Sequence, residues 1–493
     1  MSSTSPNLPG QASTGTSIHY QSRIFSLDVL RGIALLGILL VSINEFGGFT
    51  NNEKAFYITA THGGNFKLMS AISILFEGKM RALLSLVFGA GMLLFLRKKE
   101  FPANLSPADA FIRRQLWLIG FGLVNAFILL WPGDILFQYG IVGILLFGFS
   151  RMKAKGFFIL ALVCTLVYCG KLYWLYADDK SDRKKWVAVS VIEKKYKADS
   201  LARAKKDSLS MPADSIQRKV YQAKIRIADS IARKNDTLTN KQNGEKSKWE
   251  GTLKELRFDS SKTVAENKDM RQKQWGKVWE HLLQRSKFKE SWSFYRLGIW
   301  DISSIMFLGM ALFSIGFFTG RFSPSRYLLI GVLLFSAGFA LAWYRIKLGD
   351  ARIIDYNTYI DSHAMPYNQF LPFERIFMAL GYVSMIMALI NTPFLKWCWS
   401  GFAKVGQMAL SNYLLQTLIC TFFFYGYGFG YFGRLKQLEL YFFFAEVTMV
   451  QIVFSVLWLK HYRMGPLEWL LRSLVYRKKL DNKLPATETP SES

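Results

Sequence analysis

The chain has 493 residues, 51% of them hydrophobic, and a formal net charge of +27 at pH 7. A basic balance permits nucleic-acid binding, but no nucleic-acid motif occurs, so the cations point to lipid headgroups and membrane topology instead. The sequence has no Walker loop, redox motif or metal-ligand spacing, and its four cysteines form no disulfide framework. These absences argue against an ATPase, an oxidoreductase and a metal site.

Ten continuous apolar runs dominate the chain. Each is long enough for a helix to cross about 30 Å of hydrocarbon, and their unbroken character favours helices over the alternating strands of a barrel. The fold class is therefore predicted as an all-α polytopic membrane protein with about ten transmembrane helices. The predicted spans are 27–46, 80–96, 115–131, 134–150, 157–176, 299–319, 326–344, 376–395, 405–424 and 440–459.

The distribution of Lys and Arg predicts how these spans are oriented. Cations cluster in the loops after the second, fourth, sixth and eighth spans and in the C-terminal tail, whereas the turn at 131–134 has none. Short cation-rich loops remain in the cytoplasm, so both termini are predicted to be cytoplasmic. The first span follows a polar stretch without a basic leader and is predicted to be an uncleaved signal anchor.

A polar insert separates two membrane halves and is predicted to be helical and extracytoplasmic, because it is rich in Ala, Lys, Arg and Glu and poor in Gly and Pro. An Ala-Asp-Ser-Leu/Ile motif recurs at 198, 213 and 228 and gives a narrow apolar stripe. The insert either binds a partner or self-associates, or it is a solvated hairpin. The predicted regions are the tail 1–22, the membrane half 23–176, the insert 177–298, the membrane half 299–476 and the tail 477–493.

Charged residues near the first two spans are candidates for a site, because charge inside a bilayer is costly unless it is paired or hydrated. Asp28 and Arg31 are three residues apart, so they can pair on one helix face. Glu77, Lys79 and Arg81 precede the second span, with Glu77 and Arg81 four residues apart. The alternative is that both groups are ordinary anchors at the membrane interface.

Four further residues have two interpretations each. His62 lies in an extracytoplasmic loop and is either a general base or an ordinary loop residue. Asp134 begins the fourth span, either as a helix cap or as a carboxylate facing a cavity. Asn412 and Gln416, four residues apart in the ninth span, form either a site or hydrogen bonds between helices.

Five blocks in this order resemble the YeiB family of bacterial inner-membrane proteins, and the resemblance covers residues 24–160 and 299–476. It implies a multi-pass protein of the bacterial inner membrane. The insert lies outside the resemblance. The blocks are LDVLRGIA at 27–34, FGAG at 88–91, PGDIL at 132–136, VGQMALSNYLLQ at 405–416 and GPLEW at 465–469.

The family is in turn distantly similar to transmembrane acyltransferases, which take an acyl group from cytoplasmic acyl-CoA and use a histidine. This implies acyl or group transfer to an envelope glycan or lipid, with His62 as the base, Glu77 orienting it, and Arg31 meeting the CoA phosphates. Many family members also carry a histidine late in the third span. Here that region has only Asn125 nearby, which departs from the pattern.

A transporter or channel for a small solute or lipid is the alternative function, with Asp134, Asn412 and Gln416 lining its cavity. The complete set of candidate residues comprises His62 and Glu77 for catalysis, and Asp28, Arg31, Lys79, Arg81, Asp134, Asn412 and Gln416 for binding substrate or donor.

The predicted orientation can be tested by cysteine labelling in intact cells. A Ser215→Cys variant should react with a membrane-impermeant maleimide added from outside, because the insert is extracytoplasmic. A Ser473→Cys variant should react only after the membrane is opened. The parent chain, with its four native cysteines, sets the background. Labelling of Ser473→Cys alone in intact cells would contradict the orientation.

Overall fold

The computed structural model describes residues 24–48, 64–97, 101, 105–210, 216, 218–220, 222–226, 238–257, 259–390, 392 and 395–484. His62 and most of the second and third copies of the repeated motif lie outside these ranges. Within them the secondary structure is helical, apart from one isolated antiparallel bridge between Tyr462 and Lys483.

We number the described α-helices in chain order. A π-helical segment, Lys289–Gly298, joins α9 to α10, and a 3-10 turn, Phe317–Thr319, follows α10. The helices are α1 Phe25–Phe46, α2 Gly64–Leu75, α3 Lys79–Leu96, α4 Pro107–Phe127, α5 Leu136–Phe147, α6 Ala154–Leu209, α7 Asn240–Leu256, α8 Ser260–Met270, α9 Trp275–Phe288, α10 Ile299–Ser314, α11 Pro324–Ile354, α12 Tyr356–Ser362, α13 Leu371–Leu389, α14 Lys396–Gln407, α15 Ala409–Phe424, α16 Gln437–His461 and α17 Pro466–Tyr476.

The all-helical membrane architecture is confirmed, but the number of ten spans is not. Seven helical stretches of the described chain are long and apolar enough to cross a membrane: α1, α2–α3, α6, α9–α10, α11, α13 and α16. Each remaining predicted span also contains a helix. However, α5 has 12 residues, α15 starts only after a break at Met408, and α4 carries Arg113 and Arg114. Apolar run length alone overlooked these interruptions.

Two reciprocal glycine contacts fix the packing of the bundle. Gly32 of α1 lies against the carbonyl of Phe402 in α14, and Gly406 at the end of α14 lies against the carbonyl of Asp28. In the same way, Gly89 of α3 abuts Met306 in α10, while Gly309 of α10 abuts Leu86. A Cβ atom at any of these glycines would collide with a backbone carbonyl, so the helix pairs meet at backbone distance.

A cluster of buried ion pairs joins two more helices, α11 and α13, to α3 and α10. Lys79 Nζ of α3 lies 2.6 Å from Glu374 Oε1 of α13, and Arg345 Nε of α11 lies 2.8 Å from Glu374 Oε2. Lys79 and Glu374 are both fully buried. Arg375 of α13 pairs with Asp301 of α10 at 2.6 Å. Pairing of this kind lets charge remain within the apolar interior.

One end of the bundle collects positive charge. Ser26 Oγ donates to the Phe318 carbonyl (2.6 Å), Arg97 donates to Ser314 Oγ (3.4 Å), and Arg113 donates to the Val475 carbonyl (3.4 Å). These contacts bring together the start of α1, the ends of α3 and α10, the start of α4, and α17. We call this the cationic end; its cations include Arg97, Arg113, Arg114, Arg321 and Arg472.

The polar insert meets the opposite end, which we call the insert end. There the Gly426 amide donates to the Met270 carbonyl at 2.8 Å, and Lys289 Nζ lies 2.5 Å from Glu45 Oε1. The helices run across both predicted insert boundaries, since α6 continues for 56 residues and α9 leads through the π-helical segment into α10. The described part of the insert therefore extends the membrane helices.

Within the insert, α7 packs back on α6 and α12. Trp249 is fully buried and stacks on Tyr356 with ring centroids 5.5 Å apart. Lys248 pairs with Asp182 of α6 at 2.7 Å. The apolar stripe of the repeats, by contrast, is exposed at the distal end of α6, where Leu201 has 72% of its surface accessible.

Neutralising Glu374 should destabilise the fold strongly. A Glu374→Gln variant leaves Lys79 and Arg345 without their shared carboxylate, and breaking a buried ion pair costs about 3–5 kcal/mol. Chemical unfolding of the purified protein in detergent measures this change. The matched control is Asp361→Asn, which removes the partner of Arg183 at a half-exposed surface pair and should cost less than about 1 kcal/mol. Equal effects of the two substitutions would contradict a supporting role for the cluster.

Candidate functional site: a cavity at the cationic end

A cavity of about 340 Å³ lies between α1, α3, α4, α15 and α17. Its wall runs from Ile24 to Leu35 on α1 and from Phe95 back to Leu84 on α3. Each stretch covers 12 residues, or about 16 Å of rise at 1.5 Å per step. The cavity is therefore about half as deep as a 30 Å hydrocarbon layer is thick. It starts at the cationic end, where Arg472 is exposed.

Three arginines from three helices line this cavity: Arg31, Arg114 and Arg472. Arg31 Nη1 donates to Asp28 Oδ1 at 2.8 Å, which forms the predicted pair. Gly91 leaves room for Arg31, since a Cβ there would lie 3.3 Å from its Nη2 atom. The guanidinium thus lies between α1 and α3 at the cavity wall.

Arg114 is held by aromatic rings. Its guanidinium carbon lies 5.5 Å from the centre of the Phe88 ring and 5.6 Å from that of Phe95. Such cation–π contacts orient an arginine without consuming its hydrogen-bond donors. In the part of the chain that the structure describes, Arg114 forms no ion pair with a carboxylate. Its donors are therefore suited to an anionic ligand.

Glu468 also lines the cavity but is committed to α15. Its carboxylate accepts hydrogen bonds from the Leu410 amide (2.6 Å), the Ser411 amide (3.1 Å) and the Ser411 hydroxyl, and so caps the first turn of that helix. Burial raises the pKa of the Glu468 carboxyl above its ordinary value, although these hydrogen bonds act in the opposite direction. The contact ties the GPLEW block to the VGQMALSNYLLQ block.

Two buried tyrosines form the deep wall of the cavity, which we call the floor. Tyr139 Oη lies 2.7 Å from Ser85 Oγ and donates to the Arg81 carbonyl at 3.1 Å. Tyr413 Oη donates to Asp134 Oδ1 at 3.3 Å and accepts from the Ile135 amide at 3.1 Å. Both rings are 2% exposed. The floor is thus tied to α3 on one side and to the start of α5 on the other.

A second polar group lies beyond the floor. Arg81 Nη2 donates to Gln138 Oε1, and Gln138 Nε2 donates to Glu290 Oε2 at 3.3 Å. The buried atoms Arg81 Nε and Glu290 Oε1 have no hydrogen-bond partner among the residues described. We call these three residues the deep polar triad.

The structure distributes the other predicted residues among different roles. Asp134 accepts from the Phe137 amide and from Asn125 Nδ2, both at 2.8 Å, so it caps the start of α5. Asn412 donates to Ser455 Oγ of α16 at 2.8 Å and accepts from Gln451 at its carbonyl. The contacts of Asp134 are therefore those of a helix cap, and the contacts of Asn412 are hydrogen bonds between helices.

Three predicted residues remain. Gln416 is 2% exposed, and its Oε1 atom has no partner within the described chain. Lys79 belongs to the ionic cluster at Glu374, away from the cavity. Glu77 is exposed and accepts from Ser73, and the left-handed Gly78 (φ 74°) separates it from α3. Because the helix is broken there, the four-residue spacing to Arg81 does not produce a pair.

Several residues of the site were not singled out from the sequence. Arg114 and Arg472 were predicted only to be cations of cytoplasmic loops, although Arg114 lies about two turns inside α4. Gln138, Tyr139 and Glu290 belong to no sequence motif that we recognised. Glu290 could have been noticed, because it is an acidic residue at the start of an aromatic run that leads into a membrane helix. Among the described residues, no group of three or more His, Cys, Asp or Glu side chains is arranged to hold a metal ion.

The fold and the cavity define a polytopic helical membrane protein with a cation-lined recess at one end. Residues 312–478 match the family "Protein of unknown function (DUF418)", and this region includes Glu468 and Arg472. The chain is 27% identical over 467 residues to the uncharacterized protein YeiB of Escherichia coli, covering 92% of this chain and 97% of that protein.

A second relative is the uncharacterized protein YxaH of Bacillus subtilis, which is 25% identical over 462 residues, covering 92% of this chain and 94% of YxaH. No solved structure matches the chain. The two matches over 92% of the chain and the DUF418 region confirm the resemblance to the YeiB family.

Proposed function

We propose that this protein is a membrane-bound group transferase of the bacterial inner membrane, which receives an acyl-CoA donor in the cavity and passes the acyl group to an envelope glycan or lipid. The observation that carries the proposal is the composition of the cavity. Arg472 lies exposed at its mouth, Arg31 and Arg114 lie along its wall, and apolar side chains such as Leu35, Leu84 and Leu118 line its depth. An acyl-CoA has the same polarity, with phosphates at one end and an acyl chain at the other.

The size of the cavity suits part of such a donor. A volume of about 340 Å³ is at the lower end of the range for ligand pockets. It would take the acyl chain and its thioester arm, while the nucleotide stayed at the mouth beside Arg472. Arginine suits this place because its planar guanidinium binds phosphate oxygens in pairs. With both termini in the cytoplasm, the mouth would face the cytoplasmic pool of acyl-CoA.

A transporter or channel for a small solute or lipid is the second candidate. The deep polar triad supports it, because polar side chains then continue beyond the cavity towards the insert end. The tyrosine floor argues against a transporter or channel, since two buried and hydrogen-bonded rings close the inner end of the cavity. A transferase needs such a barrier with a reacting centre beside it, so we favour the transferase.

Arg114 offers a direct test of donor binding. An Arg114→Gln variant should bind octanoyl-CoA about 10- to 100-fold more weakly, because a hydrogen bond to a charged group contributes about 1.5–3 kcal/mol. Isothermal titration of the full-length protein in nanodiscs measures the Kd. Arg326→Gln, at an exposed cation that begins α11, is the matched control and should leave the Kd unchanged. Equal Kd values for the Arg114 variant and the parent would contradict the proposed donor site.

The apolar depth makes a separate prediction about acyl chain length. Affinity should rise about fourfold per CH₂ group, since burial of each contributes about 0.8 kcal/mol, until the chain reaches the floor. The same titration with acetyl-, butyryl-, hexanoyl- and octanoyl-CoA measures this slope. A flat series would show that the acyl chain lies outside the cavity.

A further inference from the structure

We infer that the deep polar triad, Arg81, Gln138 and Glu290, is the binding site for the acceptor, a molecule that presents a hydroxyl or amine group, and that Glu290 receives the acceptor's proton. This inference rests on the proposed transferase function and adds to it the class of acceptor and the residue that activates it.

The unpartnered atoms of the triad match such a group. Gln138 occupies one oxygen of Glu290 and one nitrogen of Arg81, which leaves Glu290 Oε1 and Arg81 Nε buried without partners in the described chain. A hydroxyl or amine can donate to the carboxylate oxygen and accept from the guanidinium N–H at the same time. Buried polar atoms that lack partners inside the protein are unusual and indicate a missing ligand or water.

Two other buried carboxylates of the bundle have different tasks. Asp134 accepts hydrogen bonds at both of its oxygens, from Asn125 and Phe137. Glu374 is held between Lys79 and Arg345. Glu290 is 5% exposed, so its free oxygen is not simply directed to bulk water.

The local backbone sets Glu290 apart from an ordinary helical position. It lies in the π-helical segment Lys289–Gly298, and π-turns inside helices occur frequently at functional sites. The preceding residue, Lys289, pairs with Glu45 at the end of α1 and anchors the segment there. The triad therefore lies next to the insert end, from which an extracytoplasmic acceptor would arrive.

The triad and the cavity are close along the chain and through hydrogen bonds. Arg81 precedes the wall residue Leu84 by three positions, about 4.5 Å of helical rise. Its carbonyl accepts from Tyr139 of the floor, and Gln138 is the residue next to Tyr139. A donor thioester at the floor and an acceptor at the triad lie on either side of the tyrosine rings, so the inference requires these rings to move aside before the reacting atoms come within about 3.5 Å.

The transfer is balanced without any further reactant. The acceptor oxygen or nitrogen attacks the thioester carbon, a C–O or C–N bond forms, and the C–S bond breaks. The acceptor's proton passes to the Glu290 carboxylate, and the electron pair of the C–S bond leaves with sulfur as the CoA thiolate. That thiolate takes a proton from water at the cavity mouth, and Glu290 returns its own proton to water at the insert end.

The test uses full-length protein in nanodiscs with glucosamine and glycerol as probe acceptors and octanoyl-CoA as donor. In Glu290→Gln, acceptor-stimulated CoA release should fall at least 100-fold, because general-base catalysis contributes about 10²- to 10⁴-fold. The Kd for octanoyl-CoA should stay within twofold of the parent value. Glu280→Gln, at an exposed acid of α9, is the matched control and should retain full release. Full release by Glu290→Gln would overturn the inference.

A second measurement separates this inference from the proposed function. Without donor, a probe acceptor should raise the unfolding temperature of the parent and of Glu280→Gln, but not of Glu290→Gln. If octanoyl-CoA fails to bind while this difference holds, the transferase proposal fails and the site stands. If donor binding holds and the three proteins respond alike to the probe, the acceptor site is wrong.

Should Glu290→Gln not fold, Arg81→Lys replaces it in both measurements. That variant keeps the positive charge but removes the Nε donor. It should lose the probe-induced shift and keep the octanoyl-CoA Kd; a retained shift would overturn the site.

Discussion

The close approach of helix backbones at glycine is the constraint on which the rest of this structure depends. Gly32 and Gly406 bring α1 onto α14, and Gly89 and Gly309 bring α3 onto α10. Arg31 directly precedes Gly32 in α1. The contact of Gly32 with α14 therefore fixes the backbone from which the Arg31 side chain extends. One helix of each tightly packed pair, α1 and α3, lines the cavity, so one added methyl group at these glycines would shift its walls.

The sequence predicted the helical membrane architecture, the Asp28–Arg31 pair and the family resemblance, because each depends on local spacing or on a contiguous block. Helix breaks were harder to predict. The expected Glu77–Arg81 pair assumes a continuous helix, which Gly78 interrupts, and the span at 405–424 crosses the break at Met408. The cavity itself could not be predicted, since α4 and α17 are distant in sequence and meet only through tertiary packing.

The polarity of a buried residue does not by itself distinguish a binding site from a link between helices, whereas its hydrogen-bond partners do. Asn412 and Glu374 are charged or strongly polar and fully buried, yet their contacts explain them as links between helices. Asn412 also keeps one buried atom, Oδ1, without a partner among the described residues, so a single such atom does not mark a site. Arg81 and Glu290 differ because a donor and an acceptor both stay unpartnered within one hydrogen-bonded group. That difference depends on three-dimensional partners, and no spacing rule in the sequence reveals it.

The half-depth cavity also shapes the electric field across the membrane. If water and ions fill it, they carry the potential of the cationic end down to Tyr139 and Tyr413. The voltage then falls over the remaining half of the hydrocarbon thickness, where the local field is about twice that of an undisturbed bilayer. A charge that crosses this thin layer gains or loses about 2.3 kcal/mol per 100 mV. In a cavity filled in this way, the ionisation of groups just behind the tyrosines would depend on the membrane potential.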